Sequence, residues 1–298
     1  MRRLLICLLL GFLPLFAGVS VHASETTRPK VGLVLSGGAA RGLAHIGVLK
    51  ALEEQGIKID AIAGTSMGAV VGGLYASGYK IDELEKLALT IDWQQALSDA
   101  PPRKDVPFRR KQDDRDFLVK QKLSFRDDGS LGLPLGVIQG QNLALLLESL
   151  LAHTSDTRDF DKLPIPFRAV TTDIANGEKV VFRKGHLPQV IRASMSIPAV
   201  FAPVELDGRL LVDGGMTDNI PLDVAREMGV DVAIVVDIGT PLRNRKQLVT
   251  VVDVLNQSIT LMTDATPKSN WRPCTPMTCL SSRRWRASVP PTSAVARK

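Results

Sequence analysis

The sequence predicts an α/β protein in which a mostly parallel central sheet is covered by helices, and three observations predict it. Short apolar runs bounded by turn residues alternate with stretches of helical apolar spacing between residues 31 and 238, the pattern that crossover connections between parallel strands produce. The runs are almost continuously aliphatic, which suits strands buried on both faces. A strand–turn–helix junction carries Gly64-Thr65-Ser66-Met67-Gly68, a serine between glycines at a tight turn.

Each element follows in order. Val31-Gly-Leu-Val-Leu35 is a short apolar run suited to a buried strand, and Leu43 to Gln55 places Leu43, Ile46, Leu49 and Leu52 on one helical face. Ile57 to Ala63 predicts a second strand, Met67 to Ser77 a second helix, and Ile81 to Thr90 a third. After a polar, proline-marked stretch, Gln141 to His153 is a strongly apolar helix. Phe167 to Ile174 and Glu178 to Phe182 predict strands around the Asn176-Gly177 turn, and residues 204–212 a hairpin turning at Asp207-Gly208. Leu222 to Met228 predicts a helix, Val230 to Ile238 a buried strand, and Leu248 to Met262 a last helix with an apolar face.

Composition narrows the function classes. With 298 residues, 45% hydrophobic and 23% charged, the chain is long enough for a sizeable core and excludes disorder over most of its length. Its three cysteines exclude a disulfide scaffold. The net charge of +6 sits at the two ends, and residues 24–263 are slightly acidic. Nucleic-acid binding needs basic charge on the folded domain itself, so that class is excluded.

The ends are predicted to lie outside the domain. Arg2 and Arg3, the apolar run Leu4 to Phe16 and the small residues before Ser24 form the three-part layout of a secretory signal peptide over residues 1–23. The competing reading is an uncleaved anchor. Residues 24–263 then form one exported domain without cysteine, periplasmic, secreted or outer-membrane-associated. Residues 264–298 hold no glycine, five prolines and two of the three tryptophans, the composition of a disordered basic extension or of a frameshifted tail, with the frameshift favoured.

Chemistry concentrates at three places. The Gly64–Gly68 run predicts a nucleophile elbow with Ser66 on a strained turn and a helix N-terminus behind it; the competing reading is a simple turn serine. Upstream, Ser36-Gly37-Gly38-Ala39-Ala40-Arg41-Gly42 joins a strand to a helix. Its backbone N–H groups converge on one small volume, suiting an oxyanion hole. The loop lacks the lysine of a P-loop and the second glycine of a dinucleotide fingerprint. Downstream, Leu211-Val212-Asp213-Gly214-Gly215 sets an aspartate before two glycines, able to approach another loop closely and act as the base for Ser66. A Ser66, Asp173, His186 order is arithmetically possible, but His186 lies in a charged turn. His45 is read as packing or capping beside the glycine loop, and His153 as a helix-end residue. A Ser66–Asp213 dyad fits best, and neither a metal nor an organic cofactor is called for.

Together the serine elbow, the upstream Gly-Gly-x-x-Arg-Gly loop, Arg192-Ala-Ser-Met-Ser-Ile-Pro198 and Asp213-Gly-Gly-Met-Thr-Asp-Asn-Ile-Pro221 resemble the bacterial patatin-like phospholipases, from about Pro29 to Asp237. The resemblance implies a three-layer α/β/α fold. It also implies Ser66 as nucleophile and Asp213 as its only side-chain partner. Gly37, Gly38 and Ala39 would supply the oxyanion-hole amides, Arg41 would support their loop, and Gly42, Gly64, Gly68, Gly214 and Gly215 would flank the motifs. Ala39 departs from the glycine the family most often has there, leaving an N–H but tighter access. The implied substrate is a phospholipid or other acyl-ester lipid, reached by peripheral contact with a membrane surface. The signal peptide is similar to that of autotransporter-type patatins, whose linker domain and barrel have no room after residue 263.

The segment after Pro101 interleaves Arg109, Arg110 and Lys111 with Phe108, Phe117 and Phe125 and nearly as many acids as bases. It reads as a solvated loop, or as a cationic lid over anionic head groups. The rival functions are a serine esterase or peptidase with a His-containing triad, and an inactive lipid-binding module.

Overall fold

In the computed structural model, which describes residues 28–99, 101, 103–108, 124–125, 131–132, 135–239 and 241–264, the apolar runs become the sheet. Strands β1 (Val31–Leu35), β2 (Ala61–Thr65), β5 (Phe167–Asp173) and β9 (Val232–Val236) run parallel, with β1 between β2 and β9 and β5 beyond β2. Strands β6 (Glu178–Phe182) and β8 (Arg209–Asp213) pair antiparallel with β5, and β7 (Val204–Leu206) extends the sheet beyond β8. A separate two-stranded pair joins β3 (Ser124–Phe125) to β4 (Leu131–Gly132).

Strand alternation sorts the core onto two faces. Leu33, Leu35, Ile62, Phe167 and Ala169 point to one face. There they meet α1 (Ala44–Glu54), α2 (Met67–Ala76), α3 (Ile81–Thr90), α5 (Gln141–Leu150) and α6 (Leu187–Ser194). A single turn, α4 (Trp93–Ala96), precedes α5. Val34, Ala63 and Val170 point to the other face, against Leu222, Val224 and Ala225 of α7 (Leu222–Glu227). The last helix, α8 (Val251–Asp264), packs against the turn Gly214–Met216. The layers are therefore helices, mixed sheet, helix, as the sequence predicts.

Several elements differ from expectation, and three of them have a clear local cause. Strand β2 begins at Ala61 rather than Ile57: the Ile57 N–H closes α1 on Leu52, and pairing starts only where Ala61 meets Gly32. Helix α6 was not expected. Pro188 reads as a breaker, yet it sits in the first turn, where its missing N–H costs no helical bond. Helix α8 starts at Val251, because Thr250 and Asp253 exchange reciprocal capping bonds, Asp253 N–H to Thr250 Oγ1 at 3.1 Å and Thr250 N–H to Asp253 Oδ2 at 2.9 Å. The expected signal peptide, the tail after residue 264 and most of the charged segment after Pro101 lie outside the described residues.

Candidate active site

Strand β5 brings the two motif residues together. Its outer edge is taken by β6 over Ala169–Asp173, so β2 and β8 must share the opposite edge. Strand β2 runs up that edge until Thr65 faces Val170, and β8 runs down it until Asp213 faces Thr171. The two strands meet head on, which places Ser66, the residue after Thr65, against Asp213.

Ser66 has φ 54° and ψ −122°, a left-handed conformation outside the favoured regions for a residue with a Cβ. Surrounding contacts hold it there. Its N–H donates to Ser194 Oγ at 2.9 Å, and that hydroxyl donates to the Val170 carbonyl at 2.6 Å. Its own carbonyl accepts from the N–H groups of Ala69 and Val70, starting α2. The Ser66 hydroxyl faces the Asp213 carboxylate closely enough to favour its charged form. Both residues are buried, 5% and 6% exposed. They nevertheless line a cavity of about 310 Å³, so both side chains are within reach of a ligand but shielded from bulk water.

Burial pushes the Asp213 carboxyl up to about 6, opposed by the facing Ser66 hydroxyl and by a bond from the Gly215 N–H at 2.8 Å. The Asp213 N–H donates to the Ser196 carbonyl at 2.9 Å. Gly214 must lack a side chain, since a Cβ would lie 2.2 Å from the Val170 carbonyl oxygen. The turn that carries Asp213 is thus pressed onto the same strand as the elbow.

The glycine loop closes the other side. A Cβ on Gly37 would come within 3.0 Å of the Ser66 Cβ and 2.7 Å of Asn219 Oδ1. The amides of Gly38 and Ala39 make no hydrogen bond to protein among the described residues and line the cavity. One of the three expected amides is otherwise engaged, and Arg41 bonds within the loop it was expected to support. The Gly37 N–H donates to Asn219 Oδ1 at 3.1 Å, and the Arg41 N–H to the Gly38 carbonyl at 3.2 Å. The Arg41 guanidinium reaches the Gly239 carbonyl at 3.5 Å, tying the loop to the segment after β9. Ala39 itself has φ 49°, a strain that glycine would not carry.

His45 supports the loop from beneath, fully buried with Nε2 2.9 Å from the Ser36 carbonyl. That partner only accepts, so Nε2 carries the proton. Burial lowers the ring's pKa and keeps it neutral. His153 packs at the end of α5 with Nε2 3.1 Å from the Ser77 carbonyl. The triad order of Ser66, Asp173 and His186 is not assembled: Asp173 accepts from the Ala175 N–H, and His186 faces Glu148 at 3.3 Å. Neither lines the cavity. Among the described residues no cluster of three or more His, Cys, Asp or Glu is arranged to hold a metal ion.

The remaining walls are Ile197, Pro198, Val200 and Met216, with Arg243, Gln257, Ile259 and Thr260 contributed by α8 and the segment before it. The floor is apolar around a polar reaction centre. Ser194 and Asn219 are site residues whose roles the sequence did not disclose. Both lie inside the quoted motif runs, but their contacts depend on strands far apart in the chain.

A profile of the patatin-like phospholipase family matches residues 33–226. An uncharacterized NTE family protein of Mycobacterium tuberculosis is 34% identical over 227 residues, which is 76% of this chain and 53% of that protein. A lysophospholipase of Cryptococcus neoformans is 35% identical over 218 residues, 71% of this chain and 11% of that protein. The patatin-like phospholipase domain-containing protein 7 of Rattus norvegicus is 33% identical over 231 residues, 76% of this chain and 15% of that protein. The chain thus spans about half the length of the mycobacterial relative and far less of the other two. With elbow, glycine loop and aspartate turn all inside or bordering the matched region, the chain belongs to the patatin-like phospholipase family.

Proposed function

We propose that this chain hydrolyses the carboxylic ester bonds of acyl lipids, as a phospholipase A or lysophospholipase, through a Ser66–Asp213 dyad. The observation that carries the reading is the placement of Ser66, at a strained elbow, against the buried Asp213 carboxylate on the wall of one cavity. Ser66 Oγ attacks the acyl carbonyl carbon while its proton passes to Asp213. The carbonyl oxygen takes up negative charge beside the Gly38 and Ala39 amides, where preorganised donors stabilise it most. As the tetrahedral adduct collapses, the alcohol leaves with the proton from Asp213, and an acyl-serine remains. Water then attacks with Asp213 again as base, releasing the fatty acid and restoring the Ser66 hydroxyl.

The family match and the lysophospholipase named among the relatives support a lipid substrate, and the apolar walls of the cavity suit an acyl chain. The protein then works at a membrane surface as a peripheral visitor, after export directed by residues 1–23. Intact mass after treatment with a fluorophosphonate tests the chemistry. One phosphonyl adduct is expected on the wild-type chain and none on Ser66→Ala or Asp213→Asn, while His186→Ala labels normally. A folded wild-type chain that takes no adduct would favour the inactive lipid-binding module. Labelling lost in His186→Ala would favour the His-containing triad.

A further inference from the structure

Asn219 sits between the two halves of the site without a role in the reading above. Its Oδ1 accepts the Gly37 N–H at 3.1 Å, which fixes the orientation of the carboxamide, since an N–H requires an oxygen opposite it. Nδ2 is on the other arm of the same planar group. Among the described residues it finds no protein acceptor, yet it is not a sealed, partnerless buried atom, and Asn219 lines the cavity with Ser66 and Asp213. The carboxamide also lies beside both reacting groups. Cβ atoms built on Gly37 and Gly215 would each approach Asn219 Oδ1, at 2.7 and 3.1 Å. The first would also sit 3.0 Å from the Ser66 Cβ, and the second 3.1 Å from Asp213 Oδ1.

The segment that carries Asn219 is anchored from behind. Thr65 Oγ1 donates to the Asp218 carbonyl at 2.9 Å, and Lys179 Nζ lies 3.0 Å from the Asp218 carboxylate. Thr65 immediately precedes the nucleophile, so the position of the carboxamide is referenced to the elbow itself.

We propose that Asn219 is a catalytic residue: its Oδ1 holds the glycine loop through Gly37, and its Nδ2 supplies a third donor to the oxyanion, replacing the Gly37 amide that this bond consumes. The assignment rests on the Ser66–Asp213 reading. It makes the hole a composite of two loop amides, Gly38 and Ala39, and one side-chain amide from the segment after the aspartate turn. Closing the hole therefore requires both loops, 182 residues apart in the chain.

Two variants of the full chain separate a donor from a mere bracket. Asn219→Asp keeps an oxygen for the Gly37 N–H and removes the donor, while Asn219→Ala removes both and frees the Gly37 amide. Turnover of a short-chain p-nitrophenyl ester and the rate of fluorophosphonate labelling are measured across pH, with thermal melts to establish folding. Asn219→Asp is expected to lose about 100-fold in kcat with little change in KM, the usual effect of deleting one oxyanion donor, with labelling falling in step, and Asn219→Ala, which exchanges that donor for the freed Gly37 amide on an unbraced loop, to lose less. Because Asn219→Asp sets a second carboxylate beside Asp213, rates are compared on the alkaline plateau of each profile, and a loss that vanishes there overturns the assignment. Wild-type kcat in Asn219→Asp would leave only the bracket, and wild-type kcat in Asn219→Ala would remove any role. If Asn219→Ala fails to fold, the near-isosteric Asp variant decides alone. A wild-type chain that resists labelling overturns the serine reading and this assignment with it, whereas a labelled wild type with unimpaired variants overturns this assignment only.

Discussion

Among the described residues no cation compensates the buried Asp213, and the Ser66 hydroxyl and the Gly215 N–H offset only part of the desolvation that raises its pKa to about 6. A base in this range is still ionised at neutral pH yet holds a proton better than an exposed carboxylate, which favours transfer from serine. The expected kcat/KM therefore rises with pH through about 6 and levels above it, as a pH–rate profile would read. The same shift has a stability consequence of opposite sign. The folded-state pKa lies above the unfolded one, so folding is favoured below the unfolded pKa of about 4 and loses that contribution as pH rises through about 6. The ionised carboxylate then costs up to about 3 kcal/mol. Asp213→Asn should consequently melt higher than wild type at pH 8, with the gap closing below pH 4. Equal melting temperatures at both pH values would mean that Asp213 is better solvated than its 6% exposure indicates.

At the scale of elements, the elbow is a joint of β2, α2, α6 and β5 rather than a property of five residues. Ser194 is the last residue of α6, and its hydroxyl bridges the Ser66 N–H to the carbonyl of Val170 on β5. Ser194→Ala leaves a buried N–H unpaired, a cost of about 1–3 kcal/mol, and releases the strained turn. About a tenfold loss in kcat with unchanged KM is expected, and Ser194→Cys, a weaker hydrogen-bonding group, should fall between. A purely structural role would lower the melting temperature and leave kcat of the folded protein intact. Helix α6 was also the element that local rules concealed, because a proline two residues into a helix looks the same in a sequence as one that ends it.

At the scale of the molecule, the candidate active site depends on how far β2 and β8 travel along one edge of β5, and the core sets that register. Phe167 begins β5, is fully buried and stacks near Phe160 with ring centroids 6.3 Å apart. Phe167→Ala should cost about 3–5 kcal/mol by denaturant unfolding, the range for emptying a large core site. Activity in the fraction that remains folded should fall too, since β5 aligns both residues of the proposed dyad. A loss below 1 kcal/mol would show that the strand is held chiefly by its neighbours.

Much was legible without coordinates. The apolar runs at 31–35, 167–173 and 178–182 and the hairpin at Asp207-Gly208 follow from local periodicity and turn chemistry, which act over a few residues. The glycine spacing around Ser66 announces a tight turn because only residues without a Cβ fit beside so close a backbone. The sequence by itself therefore determined the fold class, the elbow, the glycine loop and the aspartate turn. Which groups touch was decided only by the tertiary structure. The approach of Ser66 to Asp213, the Gly37–Asn219 bond that consumes an expected oxyanion donor, and the separation of His186 from Ser66 all depend on strand order and register in the sheet. Those are fixed by long-range packing among residues far apart in the chain, and no local pattern encodes them.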